Sequence, residues 1–160
     1  MKKRIGLFGD SYCELHATNS ASWPSLLANK YNFEVTNHGQ RASGILWSYR
    51  KLEKYANHYD HIIWCVSSAQ RFTLPMSIIP GVLFYTGPGY VIPKNLQTAE
   101  VQRIVDIADK FLIETNVLPD LALAQEKLVL SALTTWPHLT IIPCFNGPLN
   151  IKSCLHDIHI

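Results

Sequence analysis

The stretch "RIGLFGDSYCELH", residues 4–16, begins as an apolar strand and passes without a spacer into Gly9-Asp10-Ser11. A run of this kind suits a buried strand, and a glycine, an acid and a hydroxyl at its end suit a sharp turn that leaves Ser11 on the rim of a sheet. The same pattern returns in "HIIWCVSS", residues 61–68, whose unbroken run Ile62-Ile63-Trp64-Cys65-Val66 fits a strand covered on both faces of a parallel sheet. A second strand is expected over Phe33 to Thr36, and a closing one over Leu139 to Pro143. Helices are expected between them. Residues 22–30 have Ser22 as a cap and Pro24 in the first turn. Residues 43–59 carry Leu46, Tyr49, Leu52 and Ala56 at helical steps; residues 99–116 carry Val101, Ile104, Ala108 and Phe111. Residues 119–135 start at Pro119 and show Leu121, Leu128 and Ala132. Strands alternating with helices across short connections predict βαβ units. The expected fold is α/β, a three-layer α/β/α sandwich around a short, mostly parallel sheet.

The chain has 160 residues, 48% of them apolar, enough for one core and hence one domain over residues 1–160. Its net charge of +2 is dispersed, with no basic run beyond Lys2-Lys3-Arg4, which argues against nucleic acid as a partner. The apolar run after Arg4 breaks at Gly9-Asp10, so no signal peptide is read there. No stretch reaches the roughly 18 apolar residues of a membrane span, and a soluble protein is expected. Cys13, Cys65, Cys144 and Cys154 show no C-x-x-C spacing; free thiols in a reducing compartment, the cytoplasm, are the expectation. Residues 72–98 differ from the rest, with four prolines and three glycines. There Val82 to Tyr85 and Tyr90 to Ile92 are expected to pair as a hairpin, a flap presenting Phe84, Tyr85 and Tyr90. The alternative is a hairpin that only seals a sheet edge or packs on a partner.

In an open α/β sheet, ligands bind beyond the carboxyl ends of the strands, where Ser11 is expected. Backbone N–H groups at the start of a helical turn there would hold an oxyanion as Ser11 attacks an acyl carbon. Gly9 permits the turn and Asp10 can tie it by accepting backbone hydrogen bonds. With this Gly-Asp-Ser after its first strand, the sequence resembles the SGNH (GDSL-type) hydrolase family, from Arg4 to about Asn146. The resemblance implies Ser11 as nucleophile, with its N–H, a glycine of a second block and an asparagine of a third forming the oxyanion hole.

The second block is similar to "TNHGQRASG", residues 36–44. Gly44 is the better match, and Gly39 stays open because of its spacing from Asn37. The third block departs from the family, since Ser67-Ser68-Ala69-Gln70-Arg71 contains no asparagine. Ser68 or Gln70 could donate instead, while Arg71 could bind a substrate carboxylate or pair within the loop. A lost oxyanion donor costs about 2.7–4 kcal/mol, so a slower or differently organised site is expected. The family's Asp-x-x-His is represented only by "CLHDIHI", residues 154–160, where Asp157 could orient His159 as general base. The alternative is that the fifth strand and its helix are missing, by truncation or divergence, and that the base is absent or comes from a partner chain.

His38 is the best substitute base. His16, His58, His61 and His138 read as solvated loop residues, and Cys13 as a core residue. His156, Asp157 and His159 are too slight a cluster for a metal, so neither metal nor cofactor is expected. The leading expectation is a serine esterase cleaving an O-acetyl or other small acyl ester, carbohydrate esters included, through an acyl-enzyme. Asp10, Arg71 and the flap aromatics would contact the substrate. The alternative is a catalytically weak module of the same fold that binds a glycan or a protein; a homo-oligomer or a partner chain is compatible with either. A flavodoxin-like nucleotide binder shares the element order but would need a glycine-rich phosphate loop, which "GDSY" does not supply.

Overall fold

A computed structural model of the chain describes residues 1–13, 22–41, 43–68, 71–75, 82–85, 91–92, 94 and 97–144, and only the backbone of 72–75 and 82–85. Strand β1 (Arg4–Gly9) lies inside a parallel sheet of order β2-β1-β3-β6, with β2 (Glu34–Asn37), β3 (His61–Val66) and β6 (Leu139–Pro143). Helix α1 (Trp23–Tyr31) connects β1 to β2, and α2 (Ile45–Tyr55), followed by the 3-10 turn Ala56–His58, connects β2 to β3. These two crossovers run in opposite lateral directions along the sheet. The right-handed rule for parallel crossovers therefore puts α1 and α2 on opposite faces. Helices α3 (Ala99–Thr115) and α4 (Leu118–Thr135) precede β6, and α4 packs beside α2. The α/β architecture matches the alternation read in the sequence.

Strand alternation divides the core. Phe8, Ile62, Trp64, Val66 and Ile141 face α2 and α4, whereas Ile5, Leu7 and Cys65 face the α1 side with Cys13. Each fully buried Phe or Leu side chain of this kind stabilises the fold by about 1.5–3 kcal/mol. Trp64 is fully buried because its Nε1–H donates to Ser48 Oγ on α2 at 2.9 Å, which satisfies its polar edge.

The helices form where the periodicity places them, but on shifted faces. In α3 the buried residues are Val101, Val105 and Leu112, while Phe111 is exposed; in α2, Ile45 and Leu52 are buried and Leu46 is exposed. The expected pairing within residues 72–98 is corrected. Strand β5 (Val82–Tyr85) pairs antiparallel with β4 (Phe72–Pro75), Phe72 opposite Tyr85, and the described residues of the expected partner, Val91 and Ile92, form no strand. Ile92 instead joins Val101, Val105 and Leu112 in the core under α3, and its carbonyl accepts from Gln97 Nε2 at 3.0 Å. Among the described residues, no helix is long and apolar enough to cross a membrane.

Candidate functional site

Because the four strands are parallel, Gly9, Asn37, Val66 and Pro143 end on one rim of the sheet. The three segments singled out in the sequence leave β1, β2 and β3 there. Gly9 turns at φ +139°, and a Cβ on it would lie 2.3 Å from the Cys65 carbonyl oxygen, so only glycine fits. Ser11 follows on the surface. Asp10 is fully buried beneath it: Oδ1 accepts from Tyr12 N–H at 2.9 Å and Oδ2 from Arg71 Nη1 at 3.0 Å. Burial pushes the Asp10 carboxyl above its ordinary range, opposed by the Tyr12 N–H and the Arg71 guanidinium. Asp10, with no exposed surface, is thus not placed as a substrate contact and ties the turn instead, while Arg71 is engaged by Asp10 through Nη1.

Two hydroxyls that the sequence motifs do not single out join the rim segments. Ser43 Oγ donates to the Gly9 carbonyl at 2.8 Å, and Ser67 Oγ donates to the Ser43 carbonyl at 3.1 Å; both serines are buried. The Gly9 carbonyl also accepts from Gln40 N–H at 3.0 Å. The signal available in the sequence is a small hydroxyl beside a glycine, as in Ser43-Gly44, or directly after a buried strand, as in Ser67.

Gly44 is the N-cap of α2 in extended backbone, and a Cβ there would stand 2.4 Å from the Arg71 carbonyl oxygen. Among the described residues, the N–H groups of Gly44 and Ser11 and the Ser11 hydroxyl have no hydrogen-bond partner. Gly39 differs, because its N–H donates to Asn37 Oδ1 at 2.7 Å; this removes it as an oxyanion donor. The Asn37 amide also donates to the Cys13 carbonyl. Ser68 lies on the rim with its carbonyl accepting from Arg71 N–H at 3.1 Å.

His38 is placed away from this rim. Its ring stacks between Phe8 and Tyr55, with centroids at 4.8 and 4.6 Å, and its Nε2 meets Tyr59 Oη at 2.5 Å. Tyr59 packs on Gly6, so the imidazole points down the sheet, away from Ser11. Burial, then Lys51 and His58, hold its pKa below the ordinary histidine value. His58, His61 and His138 lie at the opposite, amino-terminal end of β3 and β6; His61 Nε2 pairs with Thr140 Oγ1 at 2.9 Å. His16, Gln70, Tyr90, Asp157 and His159 lie outside the described residues, as do the side chains of Phe84 and Tyr85. Cys13 is buried, its thiol donating to the Phe8 carbonyl at 3.1 Å.

No family model and no curated protein matches the chain. Among solved structures it is similar to a protein from Desulfitobacterium hafniense DCB-2 described as a "putative lipolytic protein of G-D-S-L family". The two share 15% identity at a TM-score of 0.38, over 89% of this chain and 77% of that one.

Proposed function

We propose that this chain is a serine hydrolase that cleaves an O-acetyl or other small acyl ester, carbohydrate esters included, through an acyl-enzyme on Ser11. The observation that carries this reading is the pairing at the rim of an exposed hydroxyl with free N–H groups: Ser11 Oγ, Ser11 N–H and Gly44 N–H have no partner among the described residues. Ser11 Oγ attacks the acyl carbon and its proton passes to a histidine. The oxyanion that forms takes the Ser11 and Gly44 N–H groups, the alcohol leaves with the proton, and water then releases the acid. The described imidazoles of His38, His58, His61 and His138 all lie away from Ser11; the base proposed here is His159, oriented by Asp157, the pair that stands for the Asp-x-x-His block of the family the sequence resembles.

A second reading, a binding module of the same fold without turnover, is favoured by one observation: none of those described histidines lies at the rim. Hydrolysis of p-nitrophenyl acetate by the wild type, Ser11→Ala and His159→Ala separates the two. Turnover lost in both variants supports the hydrolase with its base at His159. Turnover lost only in Ser11→Ala moves the base elsewhere, and wild-type turnover equal to that of Ser11→Ala favours the binding module.

A further inference from the structure

We infer that Arg71 is the positioning residue of this site: acting through Asp10, it holds the Ser11 turn against the Gly44 wall. The inference rests on the reading of Ser11 as nucleophile. Asp10 immediately precedes Ser11, and its carboxylate reaches past it to the Tyr12 N–H at 2.9 Å, so Ser11 sits inside a turn closed by that side chain and by the Cys13 N–H, which donates to the Asp10 main-chain carbonyl at 3.0 Å. The other carboxylate oxygen is held by Arg71 Nη1 at 3.0 Å, from a residue 61 positions away. The main chain of Arg71 takes part as well. Its N–H is tied to the Ser68 carbonyl at 3.1 Å, and its own carbonyl abuts Gly44 so closely that a Cβ would lie at 2.4 Å. One residue therefore touches all three rim segments, and fixes the nucleophile on one side and the candidate oxyanion donor on the other.

Stability alone is a poor reason for such a pair. The Asp10 side chain is fully buried and that of Arg71 is 20% exposed; an apolar pair of similar volume would serve a core as well or better. What a charged, directional pair adds is a fixed geometry. Among the described residues, the thiols near Asp10 add no charge at neutral pH: the hydrogen bond with Cys13 raises Cys65, the hydrogen bond with Cys65 raises Cys144, and burial raises both. The third segment has no asparagine to offer an oxyanion, and it contributes Arg71 as a brace behind the nucleophile.

The test is a double-mutant cycle read by the rate at which a fluorophosphonate probe labels Ser11, with melting followed by circular dichroism. Wild type should label and Ser11→Ala should not. Arg71→Gln should label roughly 10- to 100-fold more slowly, the scale expected when a reacting group is displaced by about 1 Å, and Arg71→Lys should recover part of the rate. In p-nitrophenyl acetate turnover the loss should fall on kcat with KM little changed. Asp10→Asn should be as slow as Arg71→Gln, and combining them should add little, because both break one interaction. A folded Arg71→Gln labelling at the wild-type rate overturns the inference, as does an undiminished effect of Arg71→Gln in the Asp10→Asn background. If Arg71→Gln does not fold, Asp10→Asn and the double variant, which carries no buried charge, decide: wild-type labelling in either overturns the inference. Failure of the wild type itself to label overturns the reading of Ser11 and the inference with it, an outcome distinct from the others.

Discussion

Replacing Gly44 by alanine tests the wall of the site. The added Cβ would stand 2.4 Å from the Arg71 carbonyl oxygen and 3.1 Å from its carbonyl carbon, where ordinary contact begins at 3.4 Å. The shortfall of 3.4 − 2.4 = 1.0 Å has to come from main chain, because the obstacle is a backbone carbonyl and no flexible side-chain tip can yield. Backbone conformation is no obstacle, since φ −91° and ψ 172° suit any residue. Overpacking of this kind costs about 1–3 kcal/mol. For a domain of this size, each kcal/mol lowers the melting temperature by about 2–4 °C, so a fall of about 2–12 °C is expected. Alanine is also a poorer N-cap than glycine, and Gly44→Ser separates the two effects: serine is a favoured cap but carries the same Cβ. Both variants should be destabilised in urea titration, and both should slow ester turnover as Arg71 and its hold on Asp10 shift. A Gly44→Ser protein as stable and as active as the wild type would refute the reasoning.

Three further outcomes follow from the packing. His38 and His61 both have pKa values lowered by burial from 6.5, so the unfolded chain binds protons that the folded one does not; stability is complete above that value and falls as pH drops through and below it. Urea titrations at about pH 8 and about pH 5 should show this loss, and His38→Phe should reduce it. Ser48→Ala removes the acceptor of the Trp64 N–H and should cost about 1–3 kcal/mol, whereas Ser43→Ala leaves Gly9 its second donor, Gln40, and should cost about 1 kcal/mol; urea titration of both checks the order. Cys13 and Cys65, buried at 0% and 2% exposure, should resist iodoacetamide in the native protein and be modified after unfolding, as read by peptide mass spectrometry.

The strands are legible in the sequence because their evidence is local. Ile62 to Val66 is apolar at every position, and such a run has few uses besides a strand covered on both faces. The helices are legible as helices but not in their orientation. In α3, Val101, Ile104, Ala108 and Phe111 keep helical spacing, and so do Val101, Val105 and Leu112. Only the position of Ile92 and the start of α4 decides that the second set is buried. Strand β4 is hidden for a similar reason: Phe72-Thr73-Leu74-Pro75 ends in a proline and stands in a stretch dense with turn residues, and its partner β5 is set by pairing across the intervening loop.

At the site, the glycines can be read and the charges cannot. Gly9 and Gly44 announce themselves because each stands where an apolar strand or a helix meets a turn. The Asp10–Arg71 pair joins residues 61 positions apart, and only the parallel register of β1 with β3 brings their loops to one rim. The register of β2 on β1 settles His38. Its main-chain N–H bonds to the Leu7 carbonyl at 2.7 Å, continuing β2 alongside β1, and this puts its side chain on the face with Phe8. Once there, two aromatic rings and the Tyr59 hydroxyl compete for the imidazole more closely than any group at the rim. A histidine next to a candidate oxyanion segment in sequence is thereby held, half-buried, in an aromatic stack, and any imidazole serving Ser11 has to come from a segment other than the one that carries Gly44.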